Sequence, residues 1–186
     1  ETLVEPKILL PDNEACLRLP GIDGKAKMSK SLGNCIYLAE DPKDIKKKVM
    51  SMFTDPNHIR IEDPGSLEGN TVFTYLDAFC NDQHFEEYLP DYKNLDELKE
   101  HYQRGGLGDV KVKKFLNNVL QEELEPIRKR REELQKDIPY VYEVLKKGSE
   151  VARETAAQTL HEVRDAMKIN YFDDMELIRS QAKKYE

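Results

Sequence analysis

The stretch from residue 109 to residue 127 reads Asp-Val-Lys-Val-Lys-Lys-Phe-Leu-Asn-Asn-Val-Leu-Gln-Glu-Glu-Leu-Glu-Pro-Ile and decides the fold class. Its apolar residues recur every three or four positions, which is the spacing of one face of an α-helix. This apolar stripe consists of Val112, Phe115, Leu116, Val119, Leu120, Leu124 and Ile127. We therefore predict a long helix that has Asp109 as its N-cap and is kinked or divided at Pro126.

Helical patterns continue on both sides of this stretch. On the N-terminal side, Asp41-Pro42 is a helix start, because it places an acceptor at the N-cap and proline at the first helical position. Further helices are predicted over residues 71–80, 82–89 and 94–104. On the C-terminal side, we predict one helix from Pro139 to Gly148, a second that Ser149 caps, and a weaker one over 175–185.

The first 40 residues have a different character. They contain short apolar runs separated by turn signals such as Pro11-Asp12-Asn13. We predict short buried strands at residues 15–19 and 35–38, on either side of a polar loop. The sequence therefore predicts a mainly α-helical protein with a little sheet at its N-terminal end.

Composition limits the classes of function. The 186 residues carry a net charge of −7 and are 39% hydrophobic, as expected for a soluble globular chain. No apolar run approaches the roughly 20 residues of a membrane span. Three widely spaced cysteines argue against a disulfide framework, and neither the cysteines nor the four histidines have the spacing of a metal site. We expect a cytoplasmic protein without a bound metal of its own.

The charge is unevenly distributed along the chain. Residues 25–60 carry 8 Lys and Arg against 4 Asp and Glu, whereas residues 61–109 carry 3 against 12. A local basic patch on an acidic protein is compatible with binding one particular RNA while avoiding bulk nucleic acid.

The basic segment contains the residues Lys27-Met28-Ser29-Lys30-Ser31. Two lysines three positions apart, two hydroxyls and flanking glycines form a mobile cationic loop that suits a polyphosphate. The alternative is a surface loop in which these residues occur by chance.

These five residues resemble the KMSKS signature of class I aminoacyl-tRNA synthetases. The flanking runs, Pro20 to Ala26 and Leu32 to Leu38, resemble bacterial tryptophanyl-tRNA synthetases on both sides of the loop, and tyrosyl-tRNA synthetases less so. The resemblance continues through Gly106-Leu-Gly-Asp109, Leu124-Glu-Pro-Ile-Arg128 and Ala156-Ala-Gln-Thr-Leu160. Only the loop motif is highly specific.

The resemblance implies a domain organisation and an activity. Residues 1–69 would be the last, partial segment of a Rossmann-type α/β catalytic domain, and residues 70–186 an α-helical anticodon-binding domain. The HIGH-type signature of the family is absent, so the resemblance is to the C-terminal half of the enzyme. The implied activity is activation of tryptophan with ATP and its transfer to tRNA in a longer protein, and we expect this chain alone to be inactive.

The resemblance also implies site residues and partners. Lys27 and Lys30 would be catalytic, and Met28, Ser29, Ser31 and Leu17 would join them in binding ATP, with Mg²⁺ as the companion of ATP. The candidates for binding tRNA are Lys111, Lys113, Lys114, Arg128, Arg130 and Arg131. The expected partners are the tryptophan tRNA, ATP and, through the N-terminal half, tryptophan. We expect the longer protein to be a homodimer and to bind neither membranes nor DNA.

Two alternatives stay open at this point. The chain could be a stand-alone helical module that binds tRNA or another protein, or it could belong to a relative of the tyrosyl-tRNA synthetases. Binding that depends on the anticodon distinguishes an RNA-binding module from an inert interaction domain.

Overall fold

The computed structural model describes residues 2–185, and these residues form a mainly helical protein. A short 3₁₀ helix, Glu14–Cys16, precedes the α-helices. The α-helices are α1 (Pro42–Met50), α2 (Thr71–Phe79), α3 (Asp82–Tyr88), α4 (Leu95–Arg104), α5 (Asp109–Gln135), α6 (Ile138–Met167) and α7 (Met175–Ala182). The chain divides into two compact units, one made of Leu10–Glu133 and the other of residues 2–9 with 134–185. The prediction of a mainly α-helical fold is confirmed.

The unit Leu10–Glu133 contains one hydrophobic core, to which the first five α-helices contribute. Six of the seven stripe residues of α5 are buried, and Ile127 alone is 42% exposed. The facing side chains come mainly from the shorter helices, among them Ile45, Val49, Phe73, Leu76, Phe85 and Leu98. The periodicity of α5 therefore identified the face that this helix buries in the core.

The start of α5 differs from the prediction. Asp109 is the first residue of the helix rather than its N-cap, and its carboxylate accepts hydrogen bonds from other segments of the chain. Pro126 also lies inside one continuous helix and does not divide it. Its exposed position explains why: the carbonyl that proline leaves without a partner can be hydrated by solvent.

Helix α6 also differs from the prediction. It runs without a break from Ile138 to Met167, so Gly148 does not end a helix and Ser149 does not cap one. A single glycine inside a helix costs only about 1 kcal/mol relative to alanine, which 30 residues of helix can tolerate. The end of α6 is formed by Lys168, which has left-handed backbone geometry with φ of 56°. No residue of α6 is buried.

The strands predicted at residues 15–19 and 35–38 are not formed. Within residues 2–185, the only β-type pairing is an isolated antiparallel bridge between Pro20 and Lys27. A strand needs a neighbouring strand for its backbone hydrogen bonds, and the described chain provides none for these two runs. Their apolar side chains are partly exposed, with Leu17 at 51% and Leu38 at 65%.

The division into domains at residue 69 stays a prediction. In the structure, residues on both sides of it share the core, since Ile45 and Val49 of α1 belong to the same cluster as Leu116. None of the helices in residues 2–185 has the length and hydrophobicity needed to cross a membrane.

The core of α5 gives a direct test of the fold with two identical substitutions. Val119 is fully buried, whereas Val110 on the same helix is 54% exposed. We expect Val119→Ala to lower the free energy of unfolding by about 1.5–3 kcal/mol, because it removes buried methyl groups and leaves a cavity. Val110→Ala should change it by less than about 0.5 kcal/mol. Urea unfolding followed by circular dichroism measures both, and equal effects would contradict this packing of α5.

Candidate functional site

The segment from Lys25 to Gly33 is a loop whose two motif lysines are free to meet a ligand. The loop is narrow at its base, where the backbone N–H of Gly21 donates to the carbonyl of Ala26 over 2.7 Å. Lys27 and Lys30 are both exposed. Among residues 2–185, the lysines that form ion pairs are all lysines other than Lys27 and Lys30. The two ammonium groups of the motif are therefore available to an anion.

The two serines of the motif lie in the same loop as these lysines. The hydroxyl oxygens of Ser29 and Ser31 are 2.9 Å apart and share a hydrogen bond. The N–H of Gly33 donates to the carbonyl of Lys30 over 3.2 Å and closes the turn. Gly24, at the start of the loop, has φ of 67°, a conformation that favours glycine. Two cations and two hydroxyls in one loop can contact several oxygens of a polyphosphate.

Leu17 lies in a different environment from the loop. It follows the 3₁₀ helix, and its N–H donates to the carbonyl of Glu14 over 3.1 Å. This segment is attached to the end of α2, where the Asn13 side chain donates to the carbonyl of Asp77 over 3.0 Å. The role of Leu17 in binding a nucleotide stays a prediction.

A second candidate site is a pocket of about 630 Å³ beside the start of α5. Its polar lining residues are His58, Arg60, Tyr92, His101, Lys111 and Lys114, together with Asp109. The loop 25–33 does not contribute to this lining. The pocket brings together aromatic rings and cations, the combination that binds unstacked bases and their phosphates.

Asp109 fixes the histidine at this pocket. Its carboxylate accepts hydrogen bonds from the Tyr102 hydroxyl over 2.7 Å and from Thr54 over 3.0 Å, and it lies 3.2 Å from His58 Nδ1. Because an ionised carboxylate only accepts, we assign the donating hydrogen of His58 to Nδ1. In the neutral imidazole His58 Nε2 is then an acceptor, and it is buried without a hydrogen-bond partner among the described residues.

Tyr102 is held as a donor in this network. Burial, followed by the hydrogen bond to Asp109, raises the pKa of Tyr102 far above its ordinary value. The phenol therefore keeps its proton throughout the physiological range. It also accepts a hydrogen bond from the Asn70 amide over 3.2 Å.

The three lysines predicted to bind tRNA have different environments. Lys111 and Lys114 line the pocket, and the Lys111 ammonium donates to Asp91 over 2.8 Å, which raises the lysine pKa. Lys113 instead donates to the carbonyl of Met50 over 3.3 Å, at the end of α1, and burial lowers its pKa. In this structure, Lys113 contributes to helix packing and is not part of the pocket.

The three arginines predicted to bind tRNA lie further along α5, away from the pocket. Arg128 donates to the side chain of Gln121 over 3.1 Å, and Arg130 pairs with Glu133 over 3.2 Å. Arg131 is exposed. The structure therefore does not bring these arginines together with Lys111 and Lys114.

The sequence analysis missed His58, Arg60, Tyr92 and His101. They come from three separated segments, and none of them lies in a motif. The sequence feature that could have indicated the pocket is the run Gly106-Leu-Gly-Asp109 next to Lys111, since this run borders it. Within residues 2–185, no group of three or more His, Cys, Asp and Glu has the arrangement of a metal site.

The sequence of this chain is similar to those of known proteins. The family model for class I tRNA synthetases (W and Y) matches residues 2–125. The tryptophan--tRNA ligase of Clostridium longisporum is 63% identical over 175 residues, which are 94% of this chain and 48% of that protein. The tryptophan--tRNA ligase of Streptococcus mutans serotype c is 58% identical over 170 residues, 91% of this chain and 48% of that protein. The chain thus spans about half the length of the curated relatives it matches.

Solved structures give the same result for the fold. A tryptophanyl-tRNA synthetase from Campylobacter jejuni, in complex with ADP and tryptophan, is similar with a TM-score of 0.63 and 27% sequence identity. The similarity covers 81% of this chain and 43% of that one. A second structure from the same organism has a TM-score of 0.61 and 28% identity.

The Asp109 network can be tested through stability. Its carboxylate is 23% exposed and serves several donors, whereas Asp91 is 69% exposed and forms a surface ion pair. We expect Asp109→Asn to lower the free energy of unfolding by about 1–3 kcal/mol, because one acceptor oxygen becomes an NH2 group and the donors on that side lose their acceptor. Asp91→Asn should cost less than about 1 kcal/mol. Urea unfolding measures both variants, and equal costs would contradict the central role of Asp109.

Proposed function

Because the chain belongs to the class I tRNA synthetases for tryptophan and tyrosine, we propose that it forms the C-terminal half of a tryptophan--tRNA ligase. The observation that supports this most strongly is the 63% identity to the Clostridium longisporum tryptophan--tRNA ligase over 175 residues. In the proposed reaction, the carboxylate of tryptophan attacks the α-phosphate of ATP and pyrophosphate leaves. This step gives a tryptophanyl adenylate, from which the tryptophanyl group is transferred to the 3′ end of its tRNA as AMP leaves.

The loop 25–33 would act in the first step of this reaction. Negative charge develops on the phosphates as the bond to pyrophosphate breaks, and cations close to those oxygens stabilise the transition state. Lys27 and Lys30 supply two such cations, both exposed. The hydroxyls of Ser29 and Ser31, which lie 2.9 Å apart, add hydroxyl groups in the same loop. Met28 and Leu17 stay in the proposal as neighbours of the nucleotide, and Mg²⁺ would arrive with ATP.

The pocket beside α5 would act in recognition of tRNA. Lys111, Lys114 and Arg60 can contact phosphates, while Tyr92 and His101 offer rings for stacking with an unpaired base. Arg128, Arg130, Arg131 and Lys113 remain candidates for more distant contacts with the RNA. We place the longer protein in the cytoplasm as a homodimer.

The role of Lys30 can be tested in a chimera that keeps the N-terminal half of the Clostridium longisporum relative and takes its C-terminal half from this chain. We expect Lys30→Ala to lower kcat of ATP–pyrophosphate exchange by about 100-fold, since removing one such donor costs about 2.7 kcal/mol or more. The KM for tryptophan should change by less than about threefold, because the contact forms mainly in the transition state.

Lys25→Ala is the matched control for this experiment. Lys25 is exposed in the same loop but precedes the motif. The Lys25→Ala variant should have a kcat within about twofold of that of the unsubstituted chimera. Equal losses for the two variants, or equal losses in kcat and in tryptophan affinity for Lys30→Ala, would contradict the assignment.

RNA binding by the 186-residue chain tests the second part of the proposal. The ligands are the tryptophan tRNA, the same tRNA with a substituted anticodon, and a tyrosine tRNA, each at two salt concentrations. We expect Lys114→Ala to weaken binding of the unsubstituted tryptophan tRNA by about fivefold or more, because it removes one contact between a lysine and a phosphate. The control Lys129→Ala, at an exposed lysine paired with Glu125, should change it by less than about twofold.

The choice of RNA separates the alternatives in this experiment. Tighter binding of the tyrosine tRNA would favour a tyrosine-specific relative. Equal, weak and salt-sensitive binding of all three RNAs would indicate nonspecific attraction to phosphate, and the pocket would be withdrawn as a recognition site.

A further inference from the structure

Asn34 is a buried amide located directly after the exposed loop. Asn34 is only 4% exposed, although the three residues before it are exposed. Its side-chain oxygen accepts a hydrogen bond from the Ser29 N–H over 2.8 Å. Its side-chain nitrogen donates to Asp23 Oδ1 over 3.1 Å and lies 3.4 Å from the carbonyl of Lys27. Every hydrogen-bonding group of the amide is therefore used.

These contacts join the two arms of the loop. Asp23 lies on the incoming arm, and Ser29 lies in the middle of the motif between the two lysines. The backbone carbonyl of Asn34 also accepts from the N–H of Ile22 over 2.9 Å. One side chain thus fixes the backbone next to both motif lysines, while the lysine side chains themselves stay exposed.

Gly21 provides the space that this arrangement needs. A Cβ atom at position 21 would lie 2.2 Å from the Asn34 side-chain nitrogen and 2.8 Å from Asp23 Oδ1. Both distances are too short for non-bonded atoms, so a side chain at position 21 would displace the amide. The absence of a side chain at this position is part of the same arrangement.

The arrangement is anchored to the helical core on both sides. On the incoming side, the Tyr75 hydroxyl donates to the carbonyl of Pro20 over 2.7 Å. On the outgoing side, the Lys48 ammonium donates to the carbonyl of Cys35 over 2.8 Å and pairs with Glu40. The base of the loop is therefore held between α1 and α2.

We propose that Asn34 is a positioning residue for amino-acid activation, which holds the loop backbone beside Lys27 and Lys30 so that both ammonium groups can reach the phosphates together. This inference rests on the proposed function of the loop. The Ser29 N–H is occupied by Asn34 and is therefore not available to a phosphate oxygen. Holding the loop before the ligand arrives lowers the entropy cost of reaching the transition state.

The first arm of the test measures the hydrogen bond itself in the 186-residue chain. We expect Asn34→Ala to increase the hydrogen-exchange rate of the Ser29 amide by about tenfold or more, measured by NMR, because its acceptor is lost. Asn118→Ala, at a partly buried position on α5, is the control and should leave that rate unchanged. A Ser29 amide that exchanges equally fast in the unsubstituted chain and in Asn34→Ala would overturn the proposal whatever the activity.

The second arm measures ATP–pyrophosphate exchange in the chimera. We expect Asn34→Ala to lower kcat by about tenfold, with the KM for tryptophan within about twofold, because the defect lies in transition-state positioning. The double variant Asp23→Asn with Asn34→Asp exchanges donor and acceptor and keeps an acceptor for Ser29. It should recover most of the loss shown by Asn34→Asp alone, in which two carboxylates face each other.

The outcomes separate this inference from the proposed function. If Lys30→Ala has no effect on exchange, the proposed function of the loop fails, while the NMR arm still reports the hydrogen bond. If Lys30→Ala acts as expected but Asn34→Ala leaves kcat unchanged, the positioning role is overturned and the proposed function stands. Equal losses in kcat and in tryptophan affinity for Asn34→Ala would indicate a general structural role and would also overturn it.

Discussion

The larger unit depends on the hydrogen bonds of the Asp109 carboxylate. They join three segments of the chain: the connection after α1 through Thr54 and His58, the end of α4 through Tyr102, and the start of α5. Tyr102 is fully buried and packs against Phe73, with ring centroids 4.8 Å apart. The same phenol is thus a core side chain and a hydrogen-bond donor. Hydrophobic packing and the polar network therefore stabilise one arrangement of the helices.

Two sites with different chemistry are built on this unit. The loop 25–33 presents flexible cations to solvent, and its base is held by backbone hydrogen bonds and by one buried amide. The pocket beside α5 is bounded by the start of α5 and by aromatic rings, and Asp109 lies 3.2 Å from Nδ1 of its residue His58. The first arrangement suits a group whose charge changes during a reaction, and the second suits shape-dependent recognition of a base.

The sequence predicted those parts of the structure that depend on local patterns. The stripe of α5 and the Asp41-Pro42 start of α1 were both predicted, because helical spacing and capping are properties of neighbouring residues. The strands were predicted wrongly because a strand depends on a distant partner. Gly148 was read as a helix end because a breaker signal carries no information on how much helix surrounds it. His58 and Arg60 could not be assigned to a pocket, because Tyr92 and Lys111 are distant from them in sequence and join them only in the folded chain.

The close approach of Gly21 to Asn34 couples two positions that are thirteen residues apart. A side chain at position 21 and an inward amide at position 34 cannot occupy the same space. In evolutionary terms, the pair should vary together: a lineage that gains a side chain at 21 should also have changed 34. The sequences of relatives can therefore show, without any structure, in which of them this loop is held in another way.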